Sequence, residues 1–200
     1  MLLPGGMMPL HVFEPRYREL VESALGEDRV MAIATLRPGY EDDYEARPPV
    51  FPIMGAGTIV AAEKLEGGRW NVLLRGTDRV RLLDELPPMR AFREIRAERV
   101  PDVPVATGHA LEHRLRSLIG QLADQAEDAA AALHLIASHA EDAAGLCNLI
   151  AAHACSDPHL RRRLLETVDV ERRLELTCTH LGRLLLEVMR PPEGGTDTLH

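Results

Sequence analysis

The sequence predicts an α+β fold in which an antiparallel, curled or barrel-like sheet is followed by a bundle of helices. Three observations support this. Short β-rich runs alternate with glycine and proline turns in the first half. The apolar spacing becomes helical after residues 101–104, and the 46% hydrophobic content suffices for a core. We therefore expect a β-rich subdomain at residues 1–103, a helical subdomain at 104–190 and a disordered tail at 191–200.

The first strand is expected to lead directly into the first helix. An apolar run at residues 7–13 follows a Pro-Gly-Gly turn signal and predicts a strand. Pro15 suits the first helical position, which needs no N–H, and Gly26 is where the helix should stop. Apolar residues recur between them at three- and four-residue spacing, which predicts a buried face. That face consists of Tyr17, Leu20, Val21 and Leu25.

The following β-rich runs are separated by clear turn signals. Residues 30–36 are continuously apolar and predict a strand that is buried on both faces. Gly67 and Gly68 join two runs as a hairpin, because a type I′ turn needs positive φ at both central residues. We expect an exposed acidic loop at residues 40–49, a second turn at 76–78, and a charged edge strand at 92–100.

The second half predicts five helices from the recurrence of leucine, isoleucine and alanine. Asp157 followed by proline, and Asp169, are expected to cap the last two helices. The other three are expected at about residues 108–126, at 128–140, and around 146–150.

Three separated motifs resemble the Lon-protease N-terminal (substrate-binding) domain family in its stand-alone bacterial form. Residues 9–20 read Pro-Leu-His-Val-Phe-Glu-Pro-Arg-Tyr-Arg-Glu-Leu after a double glycine. The strand at Gly57 and the turn Gly76-x-x-Arg79 are the second motif, and Asp-Val-Glu-Arg-Arg-Leu-Glu at residues 169–175 is the third. The resemblance implies a PUA-like curled sheet, a helical subdomain, and recruitment of unfolded polypeptide.

The beginning of the chain departs from that family pattern. Family members carry an additional strand before the double glycine, whereas this sequence starts almost at the turn. Either that strand is absent or the start lies upstream. If it is absent, the run at residues 7–13 lies near an unpaired strand edge. Such an edge would accept an unfolded client or a second copy of the chain, which would form a homodimer.

Composition and missing motifs exclude several classes of function. The net charge of −8 disfavours nucleic acid and an anionic membrane surface as partners. Lys64, the only lysine, stands in neither a P-loop nor a Ser-Lys protease dyad context, and no Gly-x-Ser-x-Gly elbow occurs. We expect no catalytic residue and no cofactor. Three cysteines without a secretory segment indicate reduced thiols and a cytoplasmic protein.

The histidines give two weak indications of a metal site. His109 and His113 have the i, i+4 spacing of a helical metal pair, but Glu112 directly precedes the second histidine, unlike His-Glu-x-x-His. His153, Cys155 and His159 fit no common zinc spacing. We therefore expect solvated histidines, a cysteine that packs as a small apolar residue, and no metal.

The resemblance suggests a non-enzymatic polypeptide-binding module, possessing a groove between the subdomains and serving as an adaptor or quality-control factor. Two alternatives stay open, an RNA-binding PUA-like protein and an uncharacterised enzyme with a site between the subdomains. Some candidates have a structural interpretation instead, in which Glu14 with Arg16 or Arg79 ties the strand–helix corner to the sheet, and Trp70 covers one end of the sheet. The peptide-binding candidates are Met8, Leu10, Phe13, Arg16, Tyr17 and Trp70, and the structural-motif residues are Glu14, Pro15, Gly57, Gly76 and Arg79.

Overall fold

A computed structural model describes residues 1–41, 47–105 and 109–190. These contain a five-stranded antiparallel sheet and six helices, which confirms the predicted α+β class. The elements in the first half are β1 (Met7–Val12), α1 (Pro15–Gly26), β2 (Val30–Ile33), β3 (Ile53–Lys64), β4 (Trp70–Glu85) and β5 (Ile95–Arg99). Those in the second half are α2 (Ala110–Gln125), α3 (Glu127–His139), α4 (Ala143–His153), α5 (Pro158–Glu166) and α6 (Val170–Val188). Residues 42–46 of the acidic loop predicted at 40–49, and the predicted tail, lie outside the described residues, and the subdomain boundary stays a prediction.

The long strand β4 organises the sheet. The strand order is β1-β4-β3-β2, and β5 also pairs with β4. The first half of β4 pairs with β1 and its second half with β5, while β3 pairs with both halves. Two register shifts in the β3–β4 pairing mark bulges, which bend a strand and increase its twist. The sheet therefore curls around its own inner face.

Two predictions about the strands are wrong. Residues 76–78 form no second turn, because β4 runs through them and Thr77 is the extra residue of a bulge between Gly76 and Asp78. The strand at residues 30–36 is not buried on both faces, because β2 pairs with β3 alone among the described strands and Val30 is 46% exposed. The apolar run thus belongs to an edge strand with one covered face.

The predicted hairpin and the first helix are confirmed. Gly67 and Gly68 have φ of 73° and 74° and lie in the short 3-10 turn between β3 and β4. Helix α1 starts at Pro15 and ends at Gly26, and Val21 is completely buried on its inner face. Tyr17, however, is 39% exposed, so it does not belong to that face.

The segment before β1 crosses the sheet at a cluster of glycines. Leu2 and Leu3 are each 1% exposed. A Cβ added at Gly55 would lie 1.8 Å from the Leu2 carbonyl oxygen, and one at Gly76 would lie 2.0 Å from that of Leu3. The crossing backbone therefore requires glycine at both positions, and a Cβ at Gly57 would likewise lie 2.6 Å from the Leu2 side chain.

Two main cores hold the chain together. The inner face of the sheet packs on α1 through Leu2, Val12, Val21, Ala24, Met31, Ile59, Val72 and Leu74. A larger core joins α2, α3, α4 and α6. The predicted caps are present, since the Asp157 side chain accepts from the His159 N–H at 2.9 Å and Asp169 accepts from the Arg172 N–H at 2.9 Å. No helix of the described part is both long and apolar enough to cross a bilayer.

Candidate functional site

The outer face of the sheet carries a shallow groove, which we name the outer-face groove. Strand pairing aligns Pro9 of β1, Leu73 of β4 and Ala61 of β3 in one row, and these three residues form its apolar centre. The groove has a volume of about 520 Å³, within the range of about 300–1,000 Å³ common for binding clefts. Pro9 and Ala61 are exposed and Leu73 is half-buried, so the apolar surface is open to solvent.

A polar row borders the apolar centre on one side. His11, Asn71 and Glu63 are two residues along β1, β4 and β3 from the apolar row, and therefore on the same face. The His11 Nδ1 and Asn71 Oδ1 atoms lie 2.8 Å apart, and Asn71 Nδ2 donates to Glu63 Oε2 at 3.5 Å. The asparagine thus links an imidazole and a carboxylate across three strands.

The opposite border is cationic and lies just beyond the residues that line the groove. Arg75 lies two residues beyond Leu73 on β4, pairs with the exposed Met7 of β1, and is itself exposed. In the direction of β4 the outer face therefore carries a carboxylate, Glu63, at one end of the groove, then apolar side chains, and a guanidinium just beyond the other end.

The predicted peptide-binding residues do not form one surface. Met8, Leu10 and Trp70 pack against the inner core beside α1, because they alternate with the outward-facing residues of their strands. The Trp70 ring is also covered by the Lys64 ammonium at 5.2 Å from the ring centroid. The structure thus packs these three half-buried candidates against the inner core and not on one open surface, although Leu10 is also among the residues that line the outer-face groove.

The other candidates lie at the exposed corner between β1 and α1. Phe13 is 61% exposed, and its ring centroid is 6.4 Å from that of His11 in the polar row. The Arg16 guanidinium is 4.9 Å from the Tyr17 ring centroid and forms an ion pair with Glu14 at 2.9 Å. This pair agrees with the structural interpretation of the corner, and Phe13 extends the apolar surface at the end of the groove.

Arg79 has a different set of partners from the one considered in the sequence. Its Nε donates to the Leu165 carbonyl at 2.8 Å, and its Nη atoms donate to Asp102 at 2.9 Å and Asn148 at 2.6 Å. Asp102 also accepts from the completely buried Arg173 at 2.6 Å. Burial, together with the smaller effect of the Arg173 charge, lowers the pKa of Arg79 to about 10, although the Asp102 charge opposes both. This network joins β4 to three helices.

Apolar side chains fill the junction where a groove between the halves was expected. Leu3 packs there with Leu164 and Leu165 of α5 and Ala151 of α4, and all four are at most 1% exposed. Ile53 of β3 contacts the same cluster. The outer-face groove is the better candidate for a site because its apolar centre is accessible.

The candidate metal and thiol groups offer little chemistry. The described residues contain no group of three metal-ligating side chains. His109 lies 3.7 Å from Glu112, and the imidazoles of His109 and His113 are 6.4 Å apart between centroids. Burial raises the pKa of all three cysteine thiols, that of Cys147 to about 11. Thiols with such pKa values are poor nucleophiles at neutral pH, since the thiolate is the reactive form.

Sequence reasoning missed Leu73 and Ala61. Which residues share the apolar row depends on the pairing of three strands, and local patterns do not contain that information. Alternation along β1 was a usable signal, because alternate residues face opposite sides of a strand. Met8, Leu10 and Val12 face one side of β1, and the exposed Pro9 and His11 face the other.

Known proteins resemble the chain over almost its whole length. The profile of the ATP-dependent protease La (LON) substrate-binding domain matches residues 1–183. The N-terminal domain of a Lon protease from the Mycobacterium avium complex is 19% identical with a TM-score of 0.69, covering 91% of this chain and 92% of that one. A Lon N-terminal domain protein from Xanthomonas campestris is 22% identical with a TM-score of 0.60, covering 88% and 89%. No curated protein matches. At these identities the structural likeness establishes the fold alone.

Proposed function

The chain belongs to the LON substrate-binding domain family, and from that premise we propose that it is a polypeptide-binding module without catalytic activity of its own. The family match over residues 1–183 is the observation that carries this proposal. This polypeptide binding would serve an adaptor or quality-control role, in which the protein holds an exposed client segment for another factor.

The outer-face groove is the site that the geometry supports best. Its centre can cover one apolar side chain of a client, and burial of a leucine-sized side chain is worth about 1.5–3 kcal/mol. Ordering of the client segment opposes binding by an amount of similar size. Because the groove is shallow and open, we expect weak and reversible capture of extended segments.

The free edge of β1 is a poorer site than the groove. β1 pairs with β4 on one side and with no other strand among the described residues. Proline lacks the N–H that an added strand would use, and Pro9 lies in the middle of this edge strand. Strand addition by a client, and a homodimer formed edge to edge, would both lack that hydrogen bond. The side-chain face therefore offers more binding free energy than the backbone edge.

Fluorescence anisotropy with a labelled, unfolded apolar polypeptide tests this proposal. Ala61→Glu places a carboxylate in the groove centre and is expected to weaken binding about tenfold, because the charge must lose water when a client covers it. Leu83→Glu makes a similar change on an exposed side chain of β4, 48% accessible and outside the groove, and should leave the affinity unchanged. Circular dichroism checks that both variants fold. Equal affinities of the two variants would exclude the groove.

The same assay separates this function from RNA binding. A net charge of −8 gives the protein little ability to neutralise phosphates. A labelled RNA oligonucleotide is therefore expected to show no binding at low salt, where phosphate contacts are strongest. Salt-sensitive RNA binding would favour the alternative.

A further inference from the structure

The two borders of the outer-face groove carry opposite charges. Glu63 lies in the polar row beside Asn71, and Arg75 lies on the same face of β4 beyond Leu73. Asn71 and Arg75 are four residues apart on β4. At about 3.3–3.4 Å per residue this separates the two borders by about 13 Å.

Neither charge is neutralised within the described residues. Within the described part of the chain, Glu63 accepts only from the uncharged Asn71, at 3.5 Å, and Arg75 has no ion pair. Neighbouring charges on the same two strands behave differently, since Lys64 pairs with Glu22 at 2.9 Å and Arg81 pairs with Glu98 at 2.9 Å. The outer face thus presents one anionic group at one end of the groove and one cationic group just beyond the other end, and both are exposed.

We propose that the groove selects extended segments in which an apolar residue is flanked, two positions away on each side, by a cationic and an anionic residue. This rests on the proposed function. Side chains at i, i+2 and i+4 of an extended chain point to one side, with the same spacing as alternate residues of β4. The apolar residue then covers Leu73 while the cationic residue faces Glu63 and the anionic residue faces Arg75. The bound segment can run in either direction along β4, and reversing its direction reverses the order of its two charges.

Three labelled peptides test the pattern by fluorescence anisotropy. The first has the order Lys-x-Leu-x-Glu, the second replaces both charges by glutamine, and the third moves each charge next to the leucine so that it faces away. Exposed ion pairs are individually weak, so the first peptide should bind about three- to tenfold more tightly than the other two at low salt. Added salt should reduce this preference.

Protein variants assign the preference to the two borders. The double variant Glu63→Gln with Arg75→Gln should bind all three peptides equally, at the affinity that the uncharged peptide has for the unmodified protein. Arg81→Gln, on the same strand but outside the groove, should keep the preference. Equal binding of the three peptides to the unmodified protein would overturn this proposal and leave the proposed function standing. Failure of every peptide to bind would contradict both.

Discussion

Substitution of Gly55 by alanine is expected to be the most damaging small change in the sheet. The new Cβ would lie 1.8 Å from the Leu2 carbonyl oxygen, which is backbone and has no alternative rotamer. Relief requires the crossing segment to leave the sheet, and Leu2 and Leu3 are both 1% exposed where they stand. Loss of their burial, at about 1.5–3 kcal/mol each, predicts a decrease of about 3–6 kcal/mol in the free energy of unfolding.

Urea denaturation followed by circular dichroism measures this effect. Gly120→Ala is the matched control, because nothing lies within 4 Å of a Cβ at that position in the interior of α2. Alanine is favoured over glycine in a helix by about 0.5–1 kcal/mol, so the control should be slightly stabilised. A Gly55→Ala variant within about 0.5 kcal/mol of the unmodified protein would show that the N-terminal segment does not cross the sheet as described.

Three further predictions concern the network, a helix cap and a thiol. Arg79→Met should lower the free energy of unfolding by about 1–3 kcal/mol in urea denaturation, because buried acceptors lose their donor while Asp102 keeps Arg173. The control Arg81→Met removes an exposed ion pair and should change the free energy of unfolding by less than about 0.5 kcal/mol. Asp169→Ala should cost about 1 kcal/mol by the same measurement, and no change would exclude the cap. The Cys147 thiol has a pKa of about 11 in the folded state and the ordinary value of 9.0 in the unfolded state, so the unfolded state loses this proton at lower pH. The contribution of this thiol to the free energy of unfolding is therefore complete below pH 9 and declines above it, by about 1 kcal/mol from pH 9 to 10. Cys147→Ala should remove that decline.

Local chemistry predicted the elements whose ends depend on one or two residues. Pro15 predicted where α1 begins, and Asp169 predicted the start of α6. Gly67 and Gly68 predicted the hairpin, because glycine readily adopts the positive φ that both residues have in the structure. Each signal acts through the nearest backbone groups, and therefore remains valid whatever the rest of the chain does.

Features that depend on distant parts of the chain were not predictable in the same way. Gly76 suggested a turn, but it lies inside β4. A glycine is needed there because the Leu3 backbone passes too close for a side chain. The candidate site has the same origin, since only the pairing of three strands places Pro9, Leu73 and Ala61 side by side. An apolar residue in a strand does not by itself reveal whether it faces the core or the groove.

Chemical-shift changes in ¹H–¹⁵N spectra of the labelled protein, recorded while an unfolded apolar peptide is added, test the central claim most directly. The claim is that a client segment lies on the outer face of the sheet. Changes are expected to concentrate on the backbone amides of His11, Ala61, Glu63, Asn71 and Leu73. Changes confined to the junction around Arg79 and Asn148, or no changes at all at saturating peptide, would contradict it.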